Sequence, residues 1–118
     1  MDMQDILDRY NTLCEDNDWQ VFHTPKNLAS ALAVSSARIL EHFQWVTEEE
    51  SFTLKRIAEP KEKLTKEVAE LFFQLLALSD KLGIDLELAI NTKLEQDQST
   101  HQGVPDDFDD SLATQVSQ

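Results

Sequence analysis

The sequence contains very little glycine, proline or cysteine. Only two glycines and three prolines occur among its 118 residues, and a β-rich fold with many tight turns needs more of both. The scarcity therefore favours a few long helices. The single cysteine, Cys14, excludes an intrachain disulfide, so a reducing compartment is the simplest setting.

Basic residues and long apolar runs are also scarce. Ten Lys and Arg residues stand against 23 Asp and Glu residues, which gives a formal net charge of −13. Because such a surface repels nucleic-acid backbones and anionic membranes, we expect neither as a partner. The longest apolar-rich run, 71–78, is far too short to span a bilayer. With no signal core at the acidic N-terminus, we expect a cytoplasmic protein.

The residues that are present predict helices. Apolar side chains recur at helical spacing near 1–16, 25–43, 60–82 and 86–96. Thr24 followed by Pro25, and Thr47 followed by Glu50, are typical helix starts. We predict an all-α four-helix bundle over residues 1–98 and a flexible acidic tail over 99–118. In that tail, the DDFDD run at 106–110 is more typical of solvated chain than of a cation site.

The third predicted helix is apolar around most of its circumference. We assign its main buried face to five residues and note five further apolar residues outside that face. The first set is Val68, Leu71, Leu75, Leu78 and Leu82, and the second is Ala69, Phe72, Phe73, Leu76 and Ala77. Such a helix needs cover from several sides. Because three partner helices in so small a chain supply too little, we predict a homo-oligomer, dimer or tetramer.

Two rows of polar residues border the apolar stripes. Glu67 and Glu70 are three residues apart, so their carboxylates project side by side. Such a pair is one way to hold Mg²⁺, although most Glu-x-x-Glu pairs simply belong to a solvated helix face. The second helix carries Ser35, Arg38 and His42. If the two helices pack antiparallel, these rows face one another across a cleft.

Two segments carry a resemblance to a known family. They contain Trp19, Phe22-His23, the run TPKNL at 24–28, the run EHFQW at 41–45, and residues 66–97. In these residues the chain resembles the MazG-like nucleotide pyrophosphohydrolases, in particular the subgroup that includes the dCTP pyrophosphatases. The resemblance covers roughly residues 5 to 98. It implies an all-α oligomeric hydrolase that cleaves (d)NTPs to (d)NMP and pyrophosphate.

The resemblance also implies a metal site that this chain has partly lost. In the family, two Glu-x-x-Glu/Asp pairs on the central helices bind Mg²⁺. The second pair is present as Glu67 and Glu70, the expected catalytic and metal residues. Ser35 and Arg38 occupy the first pair's positions, and Arg38 repels a dication. We therefore predict a degenerate metal site in which Arg38 instead pairs with Glu67 or Glu70.

Further residues are expected to bind substrate. Trp19 and Trp45 are candidates for stacking on the base or, equally, are packed aromatics. The resemblance assigns Lys93 and Asp97 to the same site, with Asp97 replacing an asparagine. It also shows departures at Gln74, where many relatives carry a tyrosine, and at Thr100-His101. His23 and His42 fit ordinary half-buried histidines better than phosphate ligands.

Two functions remain open. The chain is either a nucleotide pyrophosphohydrolase with impaired Mg²⁺-dependent catalysis, or a non-catalytic homo-oligomer. In the second case the homo-oligomer either binds a nucleotide, with Arg38 supplying the charge of the missing metal, or acts through contacts with other proteins. Mg²⁺ is the expected cofactor if the chain is active, and none is expected otherwise.

Overall fold

The computed structural model describes residues 1–103. All regular structure in this part is helical, as predicted. The five α-helices are α1 (Met3–Asp16), α2 (Pro25–Glu41), α3 (Glu48–Ser51), α4 (Ala58–Lys81) and α5 (Leu86–Gly103), and short 3₁₀ helices span Trp19–Phe22 and Leu54–Arg56. No helix within residues 1–103 has the length and apolar character needed to cross a membrane.

Helices α2 and α3 begin at the residues that the sequence predicts, whereas α4 begins at Ala58, two residues before the predicted start. The Thr24 hydroxyl accepts a hydrogen bond from the Asn27 amide, and Pro25 follows in the first turn of α2. At α3, Thr47 and Glu50 form both hydrogen bonds of a capping box. Gly83 ends α4 in the left-handed region, with φ of 69°.

The chain divides into two compact units, Met1–Ile84 and a second that begins at Asp85. In the first unit, α2 packs along α4 and α1 contacts α4. The second unit contains α5, where the Asp85 side chain accepts a hydrogen bond from the Leu88 amide. Helix α5 continues to Gly103, beyond residue 98, where we placed the end of the helical domain. The tail's DDFDD run lies outside the described residues.

The core of the first unit lies between α1, α2 and the carboxyl-terminal half of α4. Tyr10 stacks on Phe73, with ring centroids 4.9 Å apart, and on His23, at 6.1 Å. Cys14 is almost completely buried, as expected for a core residue. The buried apolar residues are Leu7, Tyr10, Cys14, Leu28, Leu76 and Ala77.

The predicted main face of α4 is only partly correct. Leu78 packs against the core as predicted, but so does Phe73 from outside that face. Val68 and Leu82 are each 53% exposed, whereas Leu76 and Ala77, also predicted outside the face, are buried. The cause is the apolar character of most of the helix circumference, because a helical period then no longer distinguishes the face that packs within the chain.

Candidate functional site

The polar rows of α2 and α4 face one another, as predicted for an antiparallel pair. The Ser35 hydroxyl donates a hydrogen bond of 2.7 Å to Oε1 of Gln74. His42 Nε2 lies 2.7 Å from Oε1 of Glu67. His42 follows Ser35 by seven residues, and Glu67 precedes Gln74 by the same number. Since seven residues make about two helical turns, both pairs belong to one antiparallel seam.

Gln74 links the buried serine to the second carboxylate. Ser35 is only 3% exposed, and its hydroxyl is satisfied by the Gln74 amide oxygen. The amide nitrogen of Gln74 donates to Oε2 of Glu70 at 3.2 Å. The position where the resemblance expects a carboxylate is therefore occupied by a neutral donor, connected to Glu70 through a neutral amide.

The contact between His42 and Glu67 is short and only partly accessible to solvent. The His42 side chain is 17% exposed and that of Glu67 is 26% exposed. An ionised carboxylate only accepts hydrogen bonds, so Nε2 of His42 carries the proton in this contact. The sequence predicts an ordinary half-buried histidine at this position. In the structure its ring contacts Glu67, a predicted catalytic residue.

Arg38 does not form the predicted ion pair. Its side chain is exposed, and within residues 1–103 no contact of 4.0 Å or less joins it to Glu67 or Glu70. The two carboxylates are instead engaged by His42 and Gln74. Holding a long guanidinium side chain in a partly buried pair costs rotamer entropy and hydration, and an exposed arginine avoids both costs.

An open cleft of about 540 Å³ lies beside this seam. It contains Trp19 together with Glu70 and Gln74, so it joins a predicted base-stacking residue to the polar seam. The lining residues are Trp19, Phe22, His23, Asn27, Leu28, Ala31, Glu70 and Gln74. Trp45 does not line this cleft, and its side chain is 87% exposed.

The aromatic wall of the cleft is held in place by a short turn. Asp18 adopts a left-handed conformation with φ of 59°, and the 3₁₀ helix with Trp19 and Phe22 follows it. The side-chain amide of Asn27 donates to the Phe22 carbonyl at 3.2 Å, which ties this helix to the start of α2. The sequence alone assigns neither Phe22 nor Asn27 to a site, although both lie in the segments that carry the resemblance.

His23 lies between the core and the cleft. Burial lowers its pKa, and the nearby positive charge of Lys81 lowers it further, whereas Glu70 acts in the opposite direction. The neutral imidazole is thus favoured, which suits a ring that stacks on Tyr10. Burial likewise raises the pKa of the Cys14 thiol, so this cysteine is not an activated nucleophile.

Known proteins resemble this chain in both sequence and structure. Human dCTP pyrophosphatase 1 is 29% identical over 93 residues, and the rat protein of the same name is 30% identical over 95 residues. Each match covers 79% of this chain and 55% of the relative, so the chain spans about half the length of these curated relatives. No family model matches the chain.

The structural match is more complete. A pyrophosphatase from Archaeoglobus fulgidus DSM 4304 superposes with a TM-score of 0.75 at 30% identity. The match covers 83% of this chain and 90% of that one. The chain belongs to the MazG-like family.

The side chains of this MazG-like chain do not form the four-carboxylate metal site that the resemblance implies. Glu67 and Glu70 are present, but the residues across the seam are Ser35, which contacts Gln74, and His42, and both carboxylates already accept hydrogen bonds. Among residues 1–103, no group of three or more His, Cys, Asp or Glu side chains lies close enough together to hold a metal ion. A degenerate metal centre in this chain stays a prediction.

The remaining predicted substrate residues lie on α5. Lys93 Nζ and Asp97 Oδ1 are 2.9 Å apart and form an exposed ion pair one turn apart on the helix. Both belong to the second unit of this MazG-like chain. Their assignment to substrate binding stays a prediction.

Proposed function

We propose that the chain binds a nucleoside triphosphate in the aromatic cleft and that its Mg²⁺-dependent pyrophosphohydrolase activity is impaired. The homology to dCTP pyrophosphatase 1 and to an archaeal pyrophosphatase supports the reaction class, cleavage to a nucleoside monophosphate and pyrophosphate. The impairment rests on one observation. Glu67 and Glu70 both accept hydrogen bonds within a seam whose α2 side contributes no carboxylate.

The cleft supports nucleotide binding through its size and its aromatic side chains. A volume of about 540 Å³ lies within the range of small-molecule sites. Trp19 is 44% exposed and Phe22 is 65% exposed, so both rings have surface available for stacking on a base. In this proposal Trp19 contributes to base binding, and Glu67 and Glu70 carry any residual metal-dependent hydrolysis. Trp45, Lys93 and Asp97 are further proposed substrate contacts.

Base stacking is tested by replacing the two tryptophans separately. Stacking contributes about 1–3 kcal/mol per base, so Trp19→Ala is expected to weaken dNTP binding by roughly five-fold or more. The measurement is equilibrium dialysis with labelled dNTPs. Trp45→Ala is measured in the same way as an independent test of its own proposed contact, since Trp45 does not line the cleft. Equal binding by wild type and Trp19→Ala would remove the cleft from the proposal.

The catalytic defect is tested by pyrophosphate release from the common dNTPs with Mg²⁺ and with Mn²⁺. We expect the wild type to be slow and Ser35→Glu with Arg38→Glu to be faster, because the double variant restores the α2 carboxylates. Since Ser35 is buried, the exposed Arg38→Glu variant is measured alone as well, and thermal melts verify folding. A wild type as fast as a folded double variant would contradict the proposed impairment.

A non-catalytic nucleotide-binding role is the second candidate, and the free guanidinium of Arg38 favours it. Arg38 is exposed, and within the described residues no carboxylate lies within 4.0 Å of it. One turn from both Ser35 and His42, it is available to a triphosphate in place of metal charge. Binding of dNTP in EDTA that is lost in Arg38→Gln would support this role. Binding that is strictly metal-dependent would exclude it.

We also propose that the chain self-associates. Several large apolar side chains of the first unit are exposed, among them Leu40 at 62%, Trp45 at 87% and Phe52 at 73%. An apolar groove of about 470 Å³ includes Phe43, Phe52 and Val68. Exposed apolar surface of this kind is typical of protein interfaces, and a second copy is the simplest partner.

A further inference from the structure

His42 caps the carboxyl-terminal end of α2 and faces α4. It is the residue of the seam that contacts Glu67, through a hydrogen bond of 2.7 Å. Both side chains are mostly buried, at 17% and 26% exposure. A hydrogen bond to an ionised group is stronger than a neutral one, and limited solvent access strengthens it further.

The hydrogen bond engages one atom of each side chain. Because the carboxylate of Glu67 accepts, His42 is the donor. At 2.7 Å the contact engages Oε1 of Glu67, which is a potential ligand atom, and a cation that binds to this oxygen must displace His42.

The other carboxylate is engaged less firmly. Gln74 donates to Oε2 of Glu70 at 3.2 Å, and this contact is exposed to solvent. A longer, solvent-exposed hydrogen bond is easier for a cation to displace than the short, part-buried contact at Glu67. Of the two contacts, the one made by His42 is thus the greater obstacle to a cation at the pair.

We infer that His42 is a positioning residue that closes the Glu67/Glu70 pair to divalent cations by holding Glu67 against α2. This inference rests on the proposed function, which assigns any residual metal dependence to that pair. It adds that the loss of metal binding has two separable causes in this chain. Carboxylates are missing at Ser35 and Arg38, and a retained carboxylate is held by a hydrogen-bond donor.

The test is a calorimetric titration of the full chain with Mn²⁺ alone. His42→Leu and His42→Met both remove the donor, and the second is included because it is closer in volume to the imidazole. Each is expected to bind Mn²⁺ about ten-fold more tightly than the wild type, because Oε1 of Glu67 is then free. A ten-fold change corresponds to about 1.4 kcal/mol. His42→Gln, whose Nε2 can still donate to Glu67, is expected to remain within about two-fold of the wild type.

Lys66→Leu is the control for a general change of charge near the pair. Lys66 pairs with Glu62 on the exposed face of α4, with side chains 78% and 74% exposed. Its loss is expected to change Mn²⁺ affinity by less than about two-fold, because exposed charges are strongly screened.

Three outcomes would overturn the inference. They are unchanged Mn²⁺ affinity in folded His42→Leu and His42→Met, equal tightening in His42→Gln, and equal tightening in Lys66→Leu. None of these depends on turnover. Rapid dNTP hydrolysis by the wild type would instead contradict the proposed function, so failure of the inference and failure of the proposed function are distinguishable.

Discussion

The two halves of α4 are covered to very different degrees within the first unit. Around the carboxyl-terminal half, Tyr10, Cys14 and Leu28 form a closed core with the buried side of the helix. Around the amino-terminal half, Phe52 and Val68 remain 73% and 53% exposed beside an open apolar groove. The difference follows from the partners. Both α1 and α2 pack on the carboxyl-terminal half of α4, whereas the groove beside its amino-terminal half is lined by the short helical turns that follow α2.

This contrast separates what stabilises the chain from what remains available for binding. Burial of apolar surface is concentrated in the core around the carboxyl-terminal half of α4. The free energy of unfolding should therefore depend mainly on residues of this core. The polar seam lies between α2 and α4. The apolar groove is the surface that a second copy would cover in the proposed self-association.

Leu28→Ala should have the largest effect on stability. Leu28 is 3% exposed in the closed core, and truncation of a buried leucine lowers the free energy of unfolding by about 2–5 kcal/mol. Urea denaturation measures this change. A loss below about 1 kcal/mol would mean that the core around Leu28 is not tightly packed.

Ser35→Ala should have an intermediate effect. Removing the hydroxyl leaves the part-buried amide oxygen of Gln74 without its donor, at a cost of about 1–3 kcal/mol. Ser36→Ala is the matched control on the next residue, because Ser36 is exposed and its replacement should be neutral or slightly stabilising. Equal melting temperatures for the two variants would show that the seam contributes nothing to stability.

Phe52→Ser should separate assembly from folding. Because Phe52 is already 73% exposed, the free energy of unfolding of the monomer should change by no more than about 0.5 kcal/mol. The proposed self-association should weaken, since the groove loses an aromatic ring. Light scattering after size exclusion measures the assembly. An oligomer unchanged by Phe52→Ser would remove the apolar groove from the proposed interface.

The smallest effect concerns pH. Burial and Lys81 lower the pKa of His23 in the folded chain, so the unfolded chain binds more protons at this residue. The stabilising contribution is therefore complete above the ordinary histidine pKa and is lost as pH falls through the folded value. Melting temperatures should decrease less from pH 7.5 to 5.5 in His23→Gln than in wild type. Identical slopes would contradict the assigned shift.

Local features of the fold could be predicted from the sequence, because helix starts and stops depend on neighbouring residues. Thr24 and Thr47 act as predicted, and Gly83 ends α4 in the left-handed conformation that glycine favours. The buried face of α4 could not be predicted, since that helix is apolar on most sides and tertiary contacts select one of them. Homology then establishes the family, whereas the chain's own substitutions determine the local chemistry.

The candidate site was predictable only in part, for a related reason. Spacing placed Ser35 and His42 on the row that faces α4, but the register between two helices determines which side chains touch. That register pairs Ser35 with Gln74 and His42 with Glu67, and it leaves Arg38 exposed. The contribution of Phe22 and Asn27 depends on a turn whose geometry the sequence does not reveal.

The central claim is that hydrogen bonding and missing carboxylates leave the Glu67/Glu70 pair with little affinity for divalent cations. Calorimetric titration of wild type and Glu67→Ala with Mg²⁺ tests it most directly. We expect no saturable binding by either protein at millimolar Mg²⁺. Tight binding by the wild type that is abolished in Glu67→Ala would contradict the claim.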